Sequence, residues 1–301
     1  MQKKASSEQW KGKTRGGLLG YKIFILFLKL FDIRVSYFVL RFVVLYFVFF
    51  SPKAFKSIFY FYNKRLKHGF FSSLIKVYKN YYALGQVILD KIASTSGFSN
   101  KFTFEFTNEA SLKKFAEGDS GCVLIGAHIG NWDMARFLLN RFDTTFNLVM
   151  LDAEHEKVKE YIKDNIKKDG KQNVHIIVVK DDMSHIFEIS KALKNNEVIC
   201  FHGDRYVSGS KFIEQEFFGE VAKFPSGPFA LAAKLKVPVA YFFTMKETST
   251  KYHFYATEQR ENCTTEKELL KDYASELENI VKKYPEQWFN YHDFWGVKHK
   301  S

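Results

Sequence analysis

Cysteine is scarce in this chain of 301 residues. There are only three, an odd number, and Cys122, Cys200 and Cys263 are far apart. No two have the CxxC spacing of a zinc or redox site, and the first two fall within short apolar runs that read as strands. We therefore predict small buried thiols in a reducing compartment, with no disulfide framework, which indicates the cytoplasm or the cytoplasmic face of a membrane.

The signatures of several other protein classes are also missing. The nine histidines form neither an HExxH motif nor any close pair, so no metal site is predicted. The GxSxG motif of α/β hydrolases is absent. No zinc-finger spacing, RNP-like or KH-like stretch or long arginine-rich arm is present, so no nucleic-acid partner is expected. The apolar N-terminal region is too long and aromatic for a secretory signal, and no small-residue cleavage site follows it.

Aromatic and basic residues are abundant instead. Phe, Tyr and Trp make up 18% of the chain, and the formal net charge is +12. Such an aromatic excess suits a protein that packs against lipid or encloses an acyl chain. A basic chain without a nucleic-acid module favours an anionic membrane surface or an acidic protein as partner.

The N-terminal region contains the densest apolar stretch, Tyr37–Phe50. As a helix this stretch would be about 21 Å long, shorter than the roughly 30 Å hydrocarbon core of a bilayer. We predict two membrane-associated helices, Tyr21–Phe31 and Val35–Phe50, that lie against or partly in one leaflet. The alternative is a helical hairpin that only covers a soluble core. The predicted division is a basic N-terminus with membrane-associated helices at 1–63 and a second domain at 64–301.

After the helices of residues 57–94, short apolar runs alternate with helical segments. This order predicts an α/β fold, with a mixed, mostly parallel sheet flanked by helices. The predicted strands are Phe102–Phe106, Cys122–Ala127, Phe146–Leu151, Val174–Val179, Val198–His202, Phe212–Phe218, Val237–Thr244 and Tyr252–Thr257. The main predicted helices lie at Ala110–Ala116, His155–Lys168, Met183–Lys194, Phe229–Leu235 and Thr265–Lys283, with Pro225-Ser226-Gly227-Pro228 as the turn before the fourth.

The stretch GCVLIGAHIGNWDMAR, residues 121–136, indicates a reaction site. Its strand ends at His128, the chain turns at Gly130, and a helix capped by Asn131 follows, which places Asp133 in the first helical turn. The turn can fold the imidazole of His128 onto the carboxylate of Asp133, which leaves the other ring nitrogen free to accept a proton from a hydroxyl. An isolated HxxxxD is often fortuitous, but the end of a strand in an open α/β sheet is a favoured place for a site.

Three further blocks occur in a fixed order after HIGNWD. They are Gly203-Asp204-Arg205, then FFG followed by FPSGP at 217–219 and 224–228, and finally YPEQWF at 284–289. Together these blocks resemble the bacterial lipid A late-acyltransferase family, whose relatives acylate phosphatidylinositol mannosides and other lipids. The resemblance covers roughly Trp10 to Trp295. Two details differ from many lipid A enzymes: Asp133 stands where they carry Glu, and Asp204-Arg205 where several carry Asp-Gln.

The resemblance implies an HxxxxD acyltransferase with a fold like that of glycerol-3-phosphate acyltransferases. It would move a fatty acyl group from acyl carrier protein, or from coenzyme A, to a hydroxyl of a lipid A precursor or related membrane lipid. It would act at the cytoplasmic face of the inner membrane without a further cofactor. His128 is then the general base and Asp133 its orienting carboxylate. The substrate-binding positions implied are Gly130, Asn131, Trp132, Asp204, Arg205, Pro225 and Gly227.

Several roles remain open from the residues alone. Backbone N–H groups at 130–132 are candidate donors to the reaction's oxyanion. Arg205 is a second candidate donor or a phosphate ligand, and equally a structural ion-pair partner of Asp204. Trp288 and Phe289 are expected to pack rather than to bind substrate. The rival functions are a catalytically silent, membrane-associated lipid-binding protein and an acyltransferase for another acceptor, such as an aminolipid or polyene lipid.

Overall fold

The computed structural model describes residues 26, 28, 30–135, 141–151, 174–180, 182–206, 210–260 and 265–296. The predicted helix at His155–Lys168, most of the predicted helix Tyr21–Phe31 and Cys263 lie outside these ranges. All structural statements below concern the described residues.

A seven-stranded sheet forms the centre of the protein, in the order β1-β9-β8-β2-β5-β3-β4. Strands β2, β3, β4, β5 and β8 run parallel to one another, whereas β9 pairs antiparallel with β8, and β1 parallel with β9. Strands β6 and β7 form a separate antiparallel hairpin. The strand bounds are β1 Thr103–Thr107, β2 Cys122–Gly126, β3 Phe146–Leu151, β4 Val174–Val179, β5 Val198–His202, β6 Phe212–Phe217, β7 Glu220–Pro225, β8 Val239–Lys246 and β9 Lys251–Ala256.

Helices cover both faces of this sheet. Their bounds are α1 Ile33–Phe50, α2 Pro52–Tyr60, α3 Phe70–Thr95, α4 Glu109–Ala116, α5 Ser184–Lys194, α6 Ser226–Leu235 and α7 Glu266–Lys283. The central strand β2 shows why its sequence is apolar throughout: Val123 and Ile125 belong to one buried cluster, and Cys122 and Leu124 to a second one. Successive side chains of a strand point to opposite faces, so a strand with two covered faces needs apolar residues at every position. The predicted fold class is confirmed.

The elements differ from the sequence prediction at one junction. Residues 225–228 were predicted as a turn before a helix at Phe229, but Pro225 ends strand β7 and α6 begins at Ser226. Strand β7 was missed because EVAKFP carries two charged residues and borders the hairpin turn at Gly219 rather than a long apolar run. The resulting hairpin is a local antiparallel unit beside the main sheet.

Helix α1 has two contrasting faces. Its Tyr37 and Val44 are buried, and Val44 joins the cluster that contains Val123 and Ile125 of the sheet. The opposite side leaves large apolar side chains exposed, among them Phe42 at 62% and Phe49 at 77%. At 18 residues the helix is long and apolar enough to cross a membrane, and 22% of it is buried within the protein. Its length of about 27 Å stays slightly below a typical hydrocarbon core.

Candidate active site

The register of two parallel strands places His128 beside Asp204. Strand β2 pairs with β5 so that Gly126 lies opposite His202. Continuing the same register by two residues past each strand brings positions 128 and 204 together at the carboxyl ends of the strands. Gly203 allows this close approach, since a Cβ atom there would lie 2.7 Å from Ile125 Cγ2. Open α/β sheets carry their sites at this edge.

Asp204 holds both the ring and the backbone of His128. Its Oδ1 lies 2.8 Å from Nδ1 of the imidazole, and its Oδ2 accepts a hydrogen bond of 3.1 Å from the backbone N–H of His128. The carboxylate has no exposed surface. Burial alone would raise the pKa of Asp204, but the adjacent His128 and Arg205 hold it well below its usual range.

An ionised Asp204 fixes the tautomer of His128. A carboxylate only accepts hydrogen bonds, so Nδ1 must carry the ring proton and donate it to Oδ1. The second nitrogen, Nε2, then keeps its lone pair. The side chain of His128 remains 21% exposed. The arrangement is therefore that of a general base with an orienting carboxylate.

Asp133 does not supply the carboxylate on Nδ1. The sequence analysis assigned that role to Asp133, yet the hydrogen bond to Nδ1 comes from Asp204, and Asp133 Oδ1 lies 2.9 Å from Nζ of Lys91 on α3. The prediction was wrong because it assumed that a short loop folds back on itself. In the structure Trp132–Ala135 is a single 3₁₀ turn, and its acidic side chain meets a neighbouring helix instead.

The backbone amides of Gly130 and Asn131 are occupied. The N–H of Gly130 donates to the carbonyl of Gln287 at 2.9 Å, and that of Asn131 donates to the carbonyl of Thr244 at 2.8 Å. These bonds rule out the predicted use of these two amides as oxyanion donors in this conformation. Gly130 has φ of +61°, and a Cβ there would lie 2.0 Å from Thr244 O, so only glycine fits.

Asn131 does not act as the predicted side-chain cap in the described contacts. Its Nδ2 donates to the hydroxyl of Tyr252 at 3.0 Å. The ring of Trp132 packs against that of His202 in a T-shaped arrangement, with a centroid distance of 5.8 Å. The loop is thus held by side chains from several elements.

Two neighbours set the electrostatics around His128. The ring of His202 lies 4.4 Å from that of His128, and burial together with the charge of His128 lowers the pKa of His202 to about 3, so this second histidine is neutral near pH 7. Arg205 donates to the carbonyl of Phe289, while its Nε–H has no partner among the described residues. Phe289 in turn donates its N–H to the carbonyl of His128 at 3.2 Å.

The remaining predicted positions belong to the β6–β7 hairpin and to the helix that follows it. Pro225 and Gly227 stand at the junction of β7 and α6, and neither lines the cavity described next. Their substrate-binding role stays a prediction. Trp288 is 2% exposed and packs its ring against Phe61 and Phe217, as expected for a core residue.

An apolar cavity begins next to His128. Counting the open space at its mouth, the volume is about 660 Å³. Ala127 and Ile129, the two neighbours of His128, line it together with Trp132 and His202. The other lining residues are Leu112, Leu124, Gly126, Ala135, Phe142, Phe146, Leu148, Cys200, Phe201, Phe242, Phe243 and Thr244. Its apolar lining suits a hydrocarbon chain.

Sequence reasoning assigned Asp204 to substrate binding and missed its contact with His128. One signal was available, because His128 and Asp204 stand one and two positions past the ends of predicted strands. The adjacency of those two strands in the sheet was not available from the sequence. Lys91 was missed altogether, since a lysine in an amphipathic helix reads as a solvated residue.

The part of the chain that contains this site matches a known protein family. The profile of the bacterial lipid A biosynthesis acyltransferase family matches residues 79–296, which include every element of the sheet and both His128 and Asp204. The phosphatidylinositol mannoside acyltransferase of Mycobacterium tuberculosis strain H37Rv is 32% identical over 115 residues, which are 38% of this chain and 35% of that protein. The counterpart from strain CDC 1551 is 31% identical over the same length. The chain thus matches about a third of the length of these relatives.

One solved structure is also similar. The 1-acyl-sn-glycerophosphate (LPA) acyltransferase PlsC from Thermotoga maritima aligns with 83% of this chain and 97% of its own, at 18% identity and a TM-score of 0.38. A likeness of this size carries no inference about activity. The family match, which covers more than half of the chain, is decisive: this protein belongs to the bacterial lipid A biosynthesis acyltransferase family.

Proposed function

We propose that this protein moves a fatty acyl group from an acyl thioester to a hydroxyl group of a membrane lipid, with His128 as general base and Asp204 as its orienting carboxylate. The observation that carries the proposal is the bond between His128 Nδ1 and the fully buried Asp204. It leaves Nε2 basic, on a residue whose two chain neighbours line the apolar cavity. A silent lipid-binding protein would have no use for such a pair.

The reaction needs only one proton carrier. His128 Nε2 takes the proton of the acceptor hydroxyl as its oxygen bonds to the thioester carbon. The resulting tetrahedral intermediate expels the thiolate, and the C–S bond breaks while the imidazolium returns the proton to sulfur. Because a thioester is already activated, no covalent enzyme intermediate is required. We assign Arg205 a binding role, either to the oxyanion of the intermediate or to a phosphate of one of the substrates, because it is the residue next to Asp204 in the chain.

The apolar cavity is the proposed site of the acyl chain. Its walls come from β2, β3, β5 and β8 and from the α4 residue Leu112, so a chain that enters beside His128 would extend beneath the sheet. Ala127 and Ile129 at the entrance would place the thioester carbon near Nε2. The length of this cavity would then limit the acyl chain that the enzyme accepts.

The donor and the membrane surface are also proposals. Acyl carrier proteins are acidic, and a chain with net charge +12 attracts them as well as anionic lipids. The free Cys122 and Cys200 are consistent with a reducing compartment. We therefore assign the enzyme to the cytoplasmic face of the inner membrane, with acyl carrier protein or coenzyme A as carrier and a lipid A precursor or related lipid as acceptor.

A transfer assay tests the proposed function. The full-length protein in lipid vesicles is incubated with radiolabelled acyl carrier protein or coenzyme A thioesters of graded chain length and with a lipid A precursor, a phosphatidylinositol mannoside or total membrane lipid. We expect labelled lipid to form with at least one donor–acceptor pair, and mass spectrometry to locate one new ester. Hydrolysis of the thioester without any acylated lipid would reject the transferase proposal.

The same assay tests the acyl site. Leu148→Phe adds volume to the wall of the cavity, so we expect the longest accepted donor to lose activity by tenfold or more while shorter donors react normally. Leu231→Phe, on the partly buried side of α6 and outside the cavity lining, is the matched control. A uniform loss over all chain lengths in Leu148→Phe would contradict this location of the acyl chain.

The exposed face of α1 is the proposed membrane contact. Phe42→Asp with Phe49→Asp removes two aromatic side chains that would enter the leaflet, each worth about 1.5–3 kcal/mol, so binding to vesicles of anionic lipid should weaken at least tenfold. Phe187→Asp, equally exposed at 79% on α5, serves as control and should bind normally. Equal binding of the double variant and the wild type in vesicle sedimentation would contradict a membrane role for α1.

A further inference from the structure

Two adjacent residues of α3 reach the loop that follows His128. Lys91 forms an ion pair with Asp133, Nζ to Oδ1, at 2.9 Å, and its ammonium lies 5.5 Å from the ring centroid of Trp132. Asp90 is fully buried, and its carboxylate accepts a hydrogen bond from the hydroxyl of Tyr252. The same hydroxyl accepts a hydrogen bond from the side-chain amide of Asn131. Lys91 therefore contacts Asp133 and Trp132 directly, and Asp90 reaches Asn131 through the hydroxyl of Tyr252.

Asp90 belongs to a buried cluster with two branches. One branch runs through Tyr252 to Asn131 in the loop. The other consists of Tyr37 on α1, whose hydroxyl lies within hydrogen-bond distance of the Asp90 carboxylate and, at 3.0 Å, of the carbonyl of Ser249. Lys246 on β8 belongs to this second branch, as it donates to Asp90 and to the Tyr37 hydroxyl at 3.0 Å. Among the side-chain contacts of the described residues, the first branch touches the loop and the second does not.

The energetics of the cluster favour a role beyond stability. Burial raises the pKa of Asp90 and lowers that of Lys246, and each residue's charge opposes the shift of the other. A buried ion pair of this kind loses so much hydration that apolar residues of similar volume often give equal or better stability. What such a pair offers is a fixed geometry, because every displaced donor leaves a buried charge without its partner.

We propose that Asp90 and Lys91 are positioning residues for the catalytic loop, so that the aspartate of the HxxxxD motif acts through Lys91 and not through the imidazole. Gly130 and Asn131 already bond through their backbone to Gln287 and Thr244. The α3 contacts hold the side chains of the same loop from the opposite direction. Together they keep His128, three residues before Asn131, in register with Asp204.

Tyr252→Phe and Tyr37→Phe form a matched pair for the test. Each replacement removes one hydroxyl that donates to Asp90 and retains the ring, but only the first also removes the partner of Asn131. We expect similar losses of thermal stability for the two variants. We expect kcat of acyl transfer to fall about tenfold or more in Tyr252→Phe, with KM within twofold of wild type, and to stay near wild type in Tyr37→Phe. Equal kcat values in the two variants would overturn the proposal.

A double-mutant cycle tests the role of Lys91. If Asp133 acts through Lys91, the losses of kcat in Lys91→Met and Asp133→Asn are not additive. The double variant then has about the same kcat as the less active of the two single variants. If Asp133 acts on the imidazole itself, the losses multiply, and the proposal fails.

A readout without turnover separates this proposal from the proposed function on which its kinetic arm rests. Hydrogen exchange of the 128–135 peptide should quicken at least fivefold in Tyr252→Phe and in Lys91→Met, and remain unchanged in Tyr37→Phe. Unchanged exchange in all three variants would overturn the positioning role even if acyl transfer is confirmed. Quickened exchange in Tyr252→Phe and Lys91→Met, together with no transferase activity of the wild-type protein, would instead reject the proposed function alone.

Discussion

Replacing His128 with alanine is expected to lower acyl transfer at least a hundredfold. The variant loses the proposed general base, and general-base catalysis contributes about 10²–10⁴-fold. Nε2 is available for this step because Asp204 holds the proton on Nδ1. The rate of labelled lipid formation from a thioester donor, measured at saturating acceptor, gives the size of the effect.

His253→Ala is the matched control for this replacement. Its side chain is 18% exposed, close to the 21% of His128, but it lies on β9 and forms its contacts with Glu105, Glu247 and Thr107. This variant should transfer acyl groups at the wild-type rate. If His128→Ala also kept its activity while both variants showed a normal melting transition, His128 would not be the base.

The architecture followed from the sequence because its signals are local. The apolar runs at Phe146–Leu151, Val174–Val179 and Val198–His202 match the observed strands at both ends. These runs need apolar residues at each position because helices cover both faces of a parallel sheet. The end of β2 was predicted at Ala127 and lies one residue earlier, at Gly126. These local patterns were sufficient to predict the fold class and to single out His128 as the candidate base.

The partner of the base was not local. His128 and Asp204 are separated by 76 positions and meet only because β2 lies next to β5 in the sheet. The chain order of strands does not give this adjacency, since β3 and β4 come between them in sequence and are placed at the far side of β5. A nearby carboxylate, Asp133, therefore looked like the partner. Asp133 instead forms an ion pair with Lys91 on helix α3. Strand β1, helix α4 and strand β2 separate that helix from the motif in the sequence.

Asp204→Asn should be nearly as damaging as loss of the base and far more damaging than Asp133→Asn. The asparagine amide can present its NH₂ group to Nδ1, which moves the ring proton to Nε2 and removes the base while the geometry is retained. In enzymes with a Ser-His-Asp triad the same change costs about 10⁴-fold in turnover. We expect a loss of about 10³–10⁴-fold in kcat for Asp204→Asn, and a smaller loss for Asp133→Asn, measured in the same assay. Equal effects of the two variants would return the orienting role to Asp133.

The pH dependence of stability provides an independent check on Asp204. Its folded-state pKa is lowered, so the stability it contributes is fully present above its unfolded pKa of about 3.9 and is lost as the pH falls through the folded pKa. The difference in unfolding free energy between wild type and Asp204→Asn should therefore shrink as the pH falls below about 4. A difference that does not shrink below this pH would mean that Asp204 is not the ionised partner that His128 requires. Without that charge the ring proton would not stay on Nδ1, and Nε2 would not be the base.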